Sequence, residues 1–74
     1  MTNEKQNPLD TKNFGPNLHR VRLEKGLTYE AFAEMVEVST RLVYDYEDGF
    51  KTPRLETICR IAMVLEVSLD SLLR

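Results

Sequence analysis

From Asn13 onward, the chain is cut at short intervals by residues that start and stop helices, and this punctuation limits what it can fold into. Thr28, Ser39 and Ser68 are N-cap residues, and Gly26 and Gly49 are left-handed stops. Between them, apolar residues recur three and four positions apart. No segment alternates apolar and polar residues between turn signals, so strands are not expected. The spacing predicts five helices. The first starts near Asn13 as its N-cap, holds Pro16 in the first turn, where a missing N–H costs nothing, and presents Phe14, Leu18 and Val21 as one stripe. The second, after Thr28, turns Phe32, Ala33 and Val36 inward. The third covers residues 40–48, with Val43 and Tyr46 inward. A loop over residues 50–54, punctuated by Pro53, leads to a fourth helix over 55–65 with Leu55, Ile58, Ala62 and Leu65 on its inner face. Ser68 caps a last short helix bearing Leu69, Leu72 and Leu73.

The first 13 residues are polar and aperiodic, with Pro8 and self-cancelling charges. They read as a flexible arm before a folded unit over 14–74. At 74 residues there is room for one small domain. Cys59 is the only cysteine, which excludes an intramolecular disulfide and a CxxC-type zinc site. It reads as a small packed residue on a mostly buried helix. His19 reads as exposed, with nothing to complete a metal site or catalytic pair, and there is no Gly-rich phosphate loop. No enzyme activity, cofactor or metal is therefore expected. No apolar run is long enough to span a membrane, and the N-terminus has no apolar signal-peptide core, so the expected compartment is the cytoplasm. Ten Lys and Arg against 12 Asp and Glu give a net charge of −2. That balance supplies no long-range attraction for nucleic acid and leaves only local patches. Glu30, Glu34 and Glu37 read as a solvated face of the second helix.

Residues 29–48 are two short helices joined by a tight turn, with Ala33 small where they would cross and one face of the third helix left free. Taken alone, this is any small helical bundle. The wider pattern is more specific. Phe14-Gly15, Arg22, Glu24 to Thr28, Ala33-Glu34, Val38-Ser39, Tyr46-Glu47, Gly49, Pro53, Leu55 to Thr57, Ile61-Ala62 and Val67 to Leu73 together resemble the repressor/Cro-type helix-turn-helix family, with unbroken spacing over residues 14–73. The resemblance implies an all-α, lambda repressor-like DNA-binding domain. It also implies a sequence-specific transcriptional regulator of bacterial or phage origin, a repressor acting as a dimer on palindromic double-stranded DNA.

In that family the third helix enters the major groove. By position, the base-contacting residues would be Thr40, Arg41, Tyr44 and Asp45. Arg41 can grip guanine O6 and N7, and Asp45 can accept from cytosine N4. Phosphate contacts would come from Tyr29, Lys51, Thr52 and Arg54. The resemblance also implies a partly buried Arg22–Glu47 pair between helices one and three. Two positions depart from the family pattern. Tyr29 stands where a bridging glutamine is usual, and Glu37 stands where glycine is usual in the left-handed turn. A second reading makes the same exposed helices a protein-interaction module, antitoxin-like or regulator-binding, favoured by the acidity, Asp45 and Tyr44. A positive stripe through Arg41, Lys51 and Arg54 would favour DNA. Any homodimer is expected to be weak and to form near the last helix, through Leu69, Leu72 and Leu73.

Overall fold

The computed structural model describes residues 11–74. Residues 1–10 of the expected arm lie outside that range. Five helices follow in order: α1 (Phe14–Glu24), α2 (Tyr29–Val36), α3 (Thr40–Asp48), α4 (Leu55–Leu65) and α5 (Leu69–Leu73). No strand occurs among the described residues. α1 packs on α3 and α5, α2 packs on α3 and α4, and α4 packs on α5. Their shared core contains Phe14, Leu18, Val21, Phe32, Val36, Val43, Ile58, Ile61 and Leu72, all essentially removed from water. Each side chain of this size contributes about 1.5–3 kcal/mol on burial.

The starts of three helices follow the expected chemistry. The Thr28 hydroxyl accepts from Ala31 N–H, Ser39 from Leu42 N–H and Ser68 from Ser71 N–H, each at 3.0 Å. Asn13 differs. It precedes α1 without a side-chain cap bond, and its Nδ2 instead donates to the Arg74 carbonyl at 3.0 Å. Asn17 Nδ2 donates to Leu72 O, and Arg20 Nη2 to Ser71 O, also at 3.0 Å. Three side chains around α1 thus satisfy carbonyls at the end of a five-residue helix too short to be stable alone.

The ends of α1 to α4 share one design. After α2, Val38 N–H donates to Ala33 O and Glu37 N–H to Glu34 O, the paired bonds of a Schellman motif. Gly26-Leu27, Gly49-Phe50 and Glu66-Val67 repeat the pattern. The motif needs a left-handed residue, and Gly26 and Gly49 supply it at no steric cost. Glu37 at φ 63° and Glu66 at φ 59° adopt it with a Cβ present. The departure from glycine at position 37 put the left-handed turn in doubt, yet Glu37 adopts it, and the strain is accepted because Val38 then packs against the core.

Two inward assignments change. Leu55, expected inside, is 43% exposed, and Ile61 takes its place in the core. The α4 stripe runs 58, 61, 62 and 65, so Leu55 has rotated off the buried arc. On α5, Leu72 is fully buried while Leu69 and Leu73 pack on the core. Of the three residues expected to form a dimer surface, Leu72 is taken up by the core and Leu69 and Leu73 remain partly exposed.

α1 meets α3 most closely at Gly15. A Cβ there would lie 2.8 Å from the carbonyl oxygens of both Tyr46 and Glu47. These are backbone atoms of a helix and cannot swing aside. Gly15→Ala is expected to destabilise the fold by about 1–3 kcal/mol, despite alanine's better helix propensity, in a urea melt. Glu37→Gly is expected to act in the opposite direction. Relief of about 1–2 kcal/mol of left-handed strain outweighs glycine's unfolded-state entropy. The melting temperature should rise by a few degrees. A fall would mean that Glu37 is held by something more than the turn.

Candidate nucleic-acid interface

The third helix is positioned by a buried charge cluster. Arg22 on α1 donates from Nε to Glu47 Oε2 on α3 at 2.6 Å, and from Nη2 to Glu47 Oε1 at 3.3 Å. The two side chains are 6% and 3% exposed. Arg22 Nη1 donates to the Leu27 carbonyl at 2.9 Å, which ties the α1–α2 turn to the same guanidinium. His19, exposed as expected, places Nδ1 2.8 Å from Glu47 Oε1. With that proton directed at the carboxylate, Arg22 Nη2 at 3.3 Å from the same nitrogen is a neighbour rather than a donor to it. Burial alone would raise the Glu47 carboxyl, but hydrogen bonds from Arg22 and His19 outweigh it and hold the group below its usual range. The Glu47 bond in turn raises Arg22. The pairing expected from the family pattern is formed.

The remaining face of Arg22 lies over the Tyr29 ring, 3.9 Å from its centroid. Tyr29 then stacks on Tyr44, with centroids 4.0 Å apart and an interplanar angle of 22°. A column thus runs from the buried Glu47 through Arg22 and Tyr29 to Tyr44 on the outward side of α3. Tyr29 is half-buried. Burial, followed by the Glu47 carboxylate, pushes its phenol up, so it stays a neutral hydroxyl. Its ring faces are occupied by Arg22 and Tyr44, which leaves the hydroxyl expected to meet phosphate outside these contacts.

The other expected contact residues divide into two groups. Thr40 is half-buried at the first position of α3, while the Arg41 side chain is 85% exposed. Lys51, Thr52 and Arg54 are exposed in the following loop. Asp45 departs from the expected free base reader, because its side chain is only 13% exposed. Its oxygens lie 3.5 Å from Arg41 Nε and 3.9 Å from Lys51 Nζ. The carboxylate thus lies between two cations and partly offsets the charge of Arg41 and Lys51. Phe50, in the loop after α3, is 77% exposed. It follows the Gly49 stop, where Leu27, Val38 and Val67 after the other stops pack on the core, so an apolar residue there gave no sign of pointing outward. Among the described residues, no group of three or more His, Cys, Asp or Glu could hold a metal ion, and no helix is long and apolar enough to cross a membrane.

The helix-turn-helix family model matches residues 18–72. The chain is 34% identical over 61 residues to YqaE, an uncharacterized HTH-type transcriptional regulator of Bacillus subtilis, across 82% of this chain and 53% of that protein. It therefore spans about half the length of the curated relative it matches. Among solved structures, the restriction-modification controller protein C.AhdI of Aeromonas hydrophila superposes with a TM-score of 0.76 at 28% identity, covering 85% of this chain and 96% of that one. A transcriptional regulator from Listeria innocua gives 0.72 at 37% identity, covering 81% and 56%. An HTH_3 family transcriptional regulator from Vibrio cholerae gives 0.77 at 27% identity, covering 85% and 35%.

Glu47→Ala leaves Arg22 charged and buried, and is expected to cost about 3–5 kcal/mol in chemical unfolding. Replacing both partners, as Arg22→Met with Glu47→Leu, should recover most of that loss. The pH dependence has a definite sign. Glu47 binds its proton less readily folded than unfolded, so its contribution is full above about pH 4.3 and is lost as pH falls through the lower folded value. Glu47→Gln should therefore flatten the acid limb of stability against pH.

Proposed function

The chain belongs to the helix-turn-helix family, and from that premise we propose that it is a sequence-specific DNA-binding transcriptional regulator, acting as a repressor in the bacterial or phage-infected cytoplasm. The observation that carries this reading is the free outer face of α3, where Arg41 projects beside a Tyr44 ring held flat by Tyr29. Arg41 reads guanine through its two-pronged guanidinium, Thr40 contributes a hydroxyl, and Tyr44 offers an apolar ring to a thymine methyl. Lys51, Thr52 and Arg54 take phosphates. Asp45 acts by aiming Arg41 and Lys51, and it accepts from cytosine N4 only where the tether opens. Two copies occupy half-sites about one helical turn apart on a palindromic operator.

A second reading has its own support. The exposed Phe50 beside cations already engaged by Asp45 suits a protein partner better than a phosphate backbone. Selection from a random duplex pool at low salt, followed by titration of the enriched site, separates the two. Failure to enrich any sequence would favour the protein partner.

On the enriched site, Arg41→Ala is expected to cost about 1–3 kcal/mol and relax one base position. Lys51→Ala should weaken all duplexes evenly and lower the salt slope by about one. Asp45→Asn should tighten binding to random duplex, because it removes a carboxylate and frees two cations, while narrowing the gap between specific and random sequences. Unchanged random-duplex affinity would show that the tether does not restrain those cations.

A further inference from the structure

Tyr29 stands where a bridging glutamine is usual, and a phenol cannot bridge as an amide does. Its ring is instead spent on two stacking partners. One face carries the Arg22 guanidinium, 3.9 Å from the ring centroid, and the other carries the Tyr44 ring at 4.0 Å and 22°. The guanidinium is itself fixed, by Glu47 at 2.6 Å and by the Leu27 carbonyl at 2.9 Å. Tyr44 therefore rests on a support whose far end is anchored in buried charge. With one ring face covered, Tyr44 is still 41% exposed, one turn along α3 from Arg41.

We propose that Tyr29 is a positioning residue, which fixes the open face of Tyr44 against the 5-methyl group of a pyrimidine in the major groove, so that the methyl rather than a hydrogen-bonding edge is the feature read there. The proposal rests on the DNA-binding reading. Three kinds of group line the groove floor: acceptor atoms, amino groups and the pyrimidine methyl. The face of an aromatic ring is negative, so it repels acceptors. An amino group would exchange its bond to water for a weak π contact. A methyl loses no hydrogen bond and gains by leaving water. The stack also removes the freedom of the Tyr44 ring during folding, so docking does not have to remove it again. A tyrosine free to turn would swing its hydroxyl to whichever base or phosphate is nearest, and would discriminate little. Thymine and 5-methylcytosine both carry this methyl, at the same place in the groove.

The test uses the full chain and the duplex enriched by selection, with its thymines replaced singly by uracil, which removes the methyl and nothing else. At the thymine facing Tyr44, uracil should weaken binding about fourfold, the worth of one buried carbon. At the same position, 5-methylcytosine should exceed cytosine by about the same factor. Tyr44→Ala should bring the thymine-to-uracil ratio to unity. Tyr29→Gln should do the same without contact to the base, while affinity for the uracil duplex stays at the wild-type level. Tyr29→Phe keeps both ring faces and should keep the full ratio. Tyr29→Leu gives the same test where glutamine disturbs folding, as judged by circular dichroism melts. In the free chain, Tyr29→Gln and Tyr44→Ala should both lower the near-ultraviolet circular dichroism of the stacked rings. A Tyr29→Gln chain that keeps the ratio overturns the positioning role and leaves Tyr44 as the methyl reader. A wild-type chain that binds thymine and uracil equally at every position, or prefers thymine without preferring 5-methylcytosine, overturns the methyl as the feature read and leaves DNA binding standing. A pool that yields no enriched sequence overturns the DNA-binding reading and this proposal with it.

Discussion

The Arg22–Glu47 contact holds three helices in one relation. One guanidinium reaches a carboxylate on α3, a carbonyl after α1 and an aromatic ring on α2. Each partner uses a different part of the group: Nε, Nη1 and the flat face. Lysine has the charge but neither the fork nor the face. The cluster need not add net stability over apolar residues of the same volume. It fixes direction, because hydrogen bonds are oriented and apolar contacts are not. Through Tyr29, that direction passes to Tyr44 on the outward side of α3.

The same region depends on close backbone approach. Gly15 lets α1 lie against the carbonyls of Tyr46 and Glu47, which brings Arg22, two turns further along α1, within reach of the Glu47 carboxylate. Packing and charge therefore agree, and a side chain at position 15 would disturb both. The left-handed Glu37 and Glu66 show the other side of this economy. Two turns accept a Cβ where glycine is easier, and the following Val38 and Val67 recover the cost by docking on the core.

The charge on the outward surface is balanced locally as well as overall. Asp45 lies within 3.9 Å of both Arg41 and Lys51, so both cations are already partly screened. A net charge of −2 adds no long-range pull. In the DNA-binding reading, such a surface favours discrimination over bulk affinity, because little attraction remains on a sequence that offers Arg41 no guanine.

The helices and their order were legible in the sequence because their signals are local. Thr28, Ser39 and Ser68 cap within three residues of themselves, and the left-handed stops act within one turn. The core was legible wherever a stripe was complete, as on α1, α2 and α3. It failed on α4, where Leu55 and Ile61 both fit a helical period and only the direction of the neighbouring helices chooses between them. Asn13 looked like a cap, but it reaches 61 residues along the chain to Arg74. His19 gave no local sign of its ion-pair partner, which lies 28 residues away. Asp45 and Phe50 were ambiguous for the same reason. A carboxylate one turn from Arg41 can be free or tethered, and an apolar residue after a glycine stop can be docked or bare. The sequence by itself determined what each segment is, since helix formation and termination depend on neighbours within a few residues. Only the tertiary structure decided which side chains meet and which are left over, since those contacts depend on how rigid helices cross, and no local spacing encodes that.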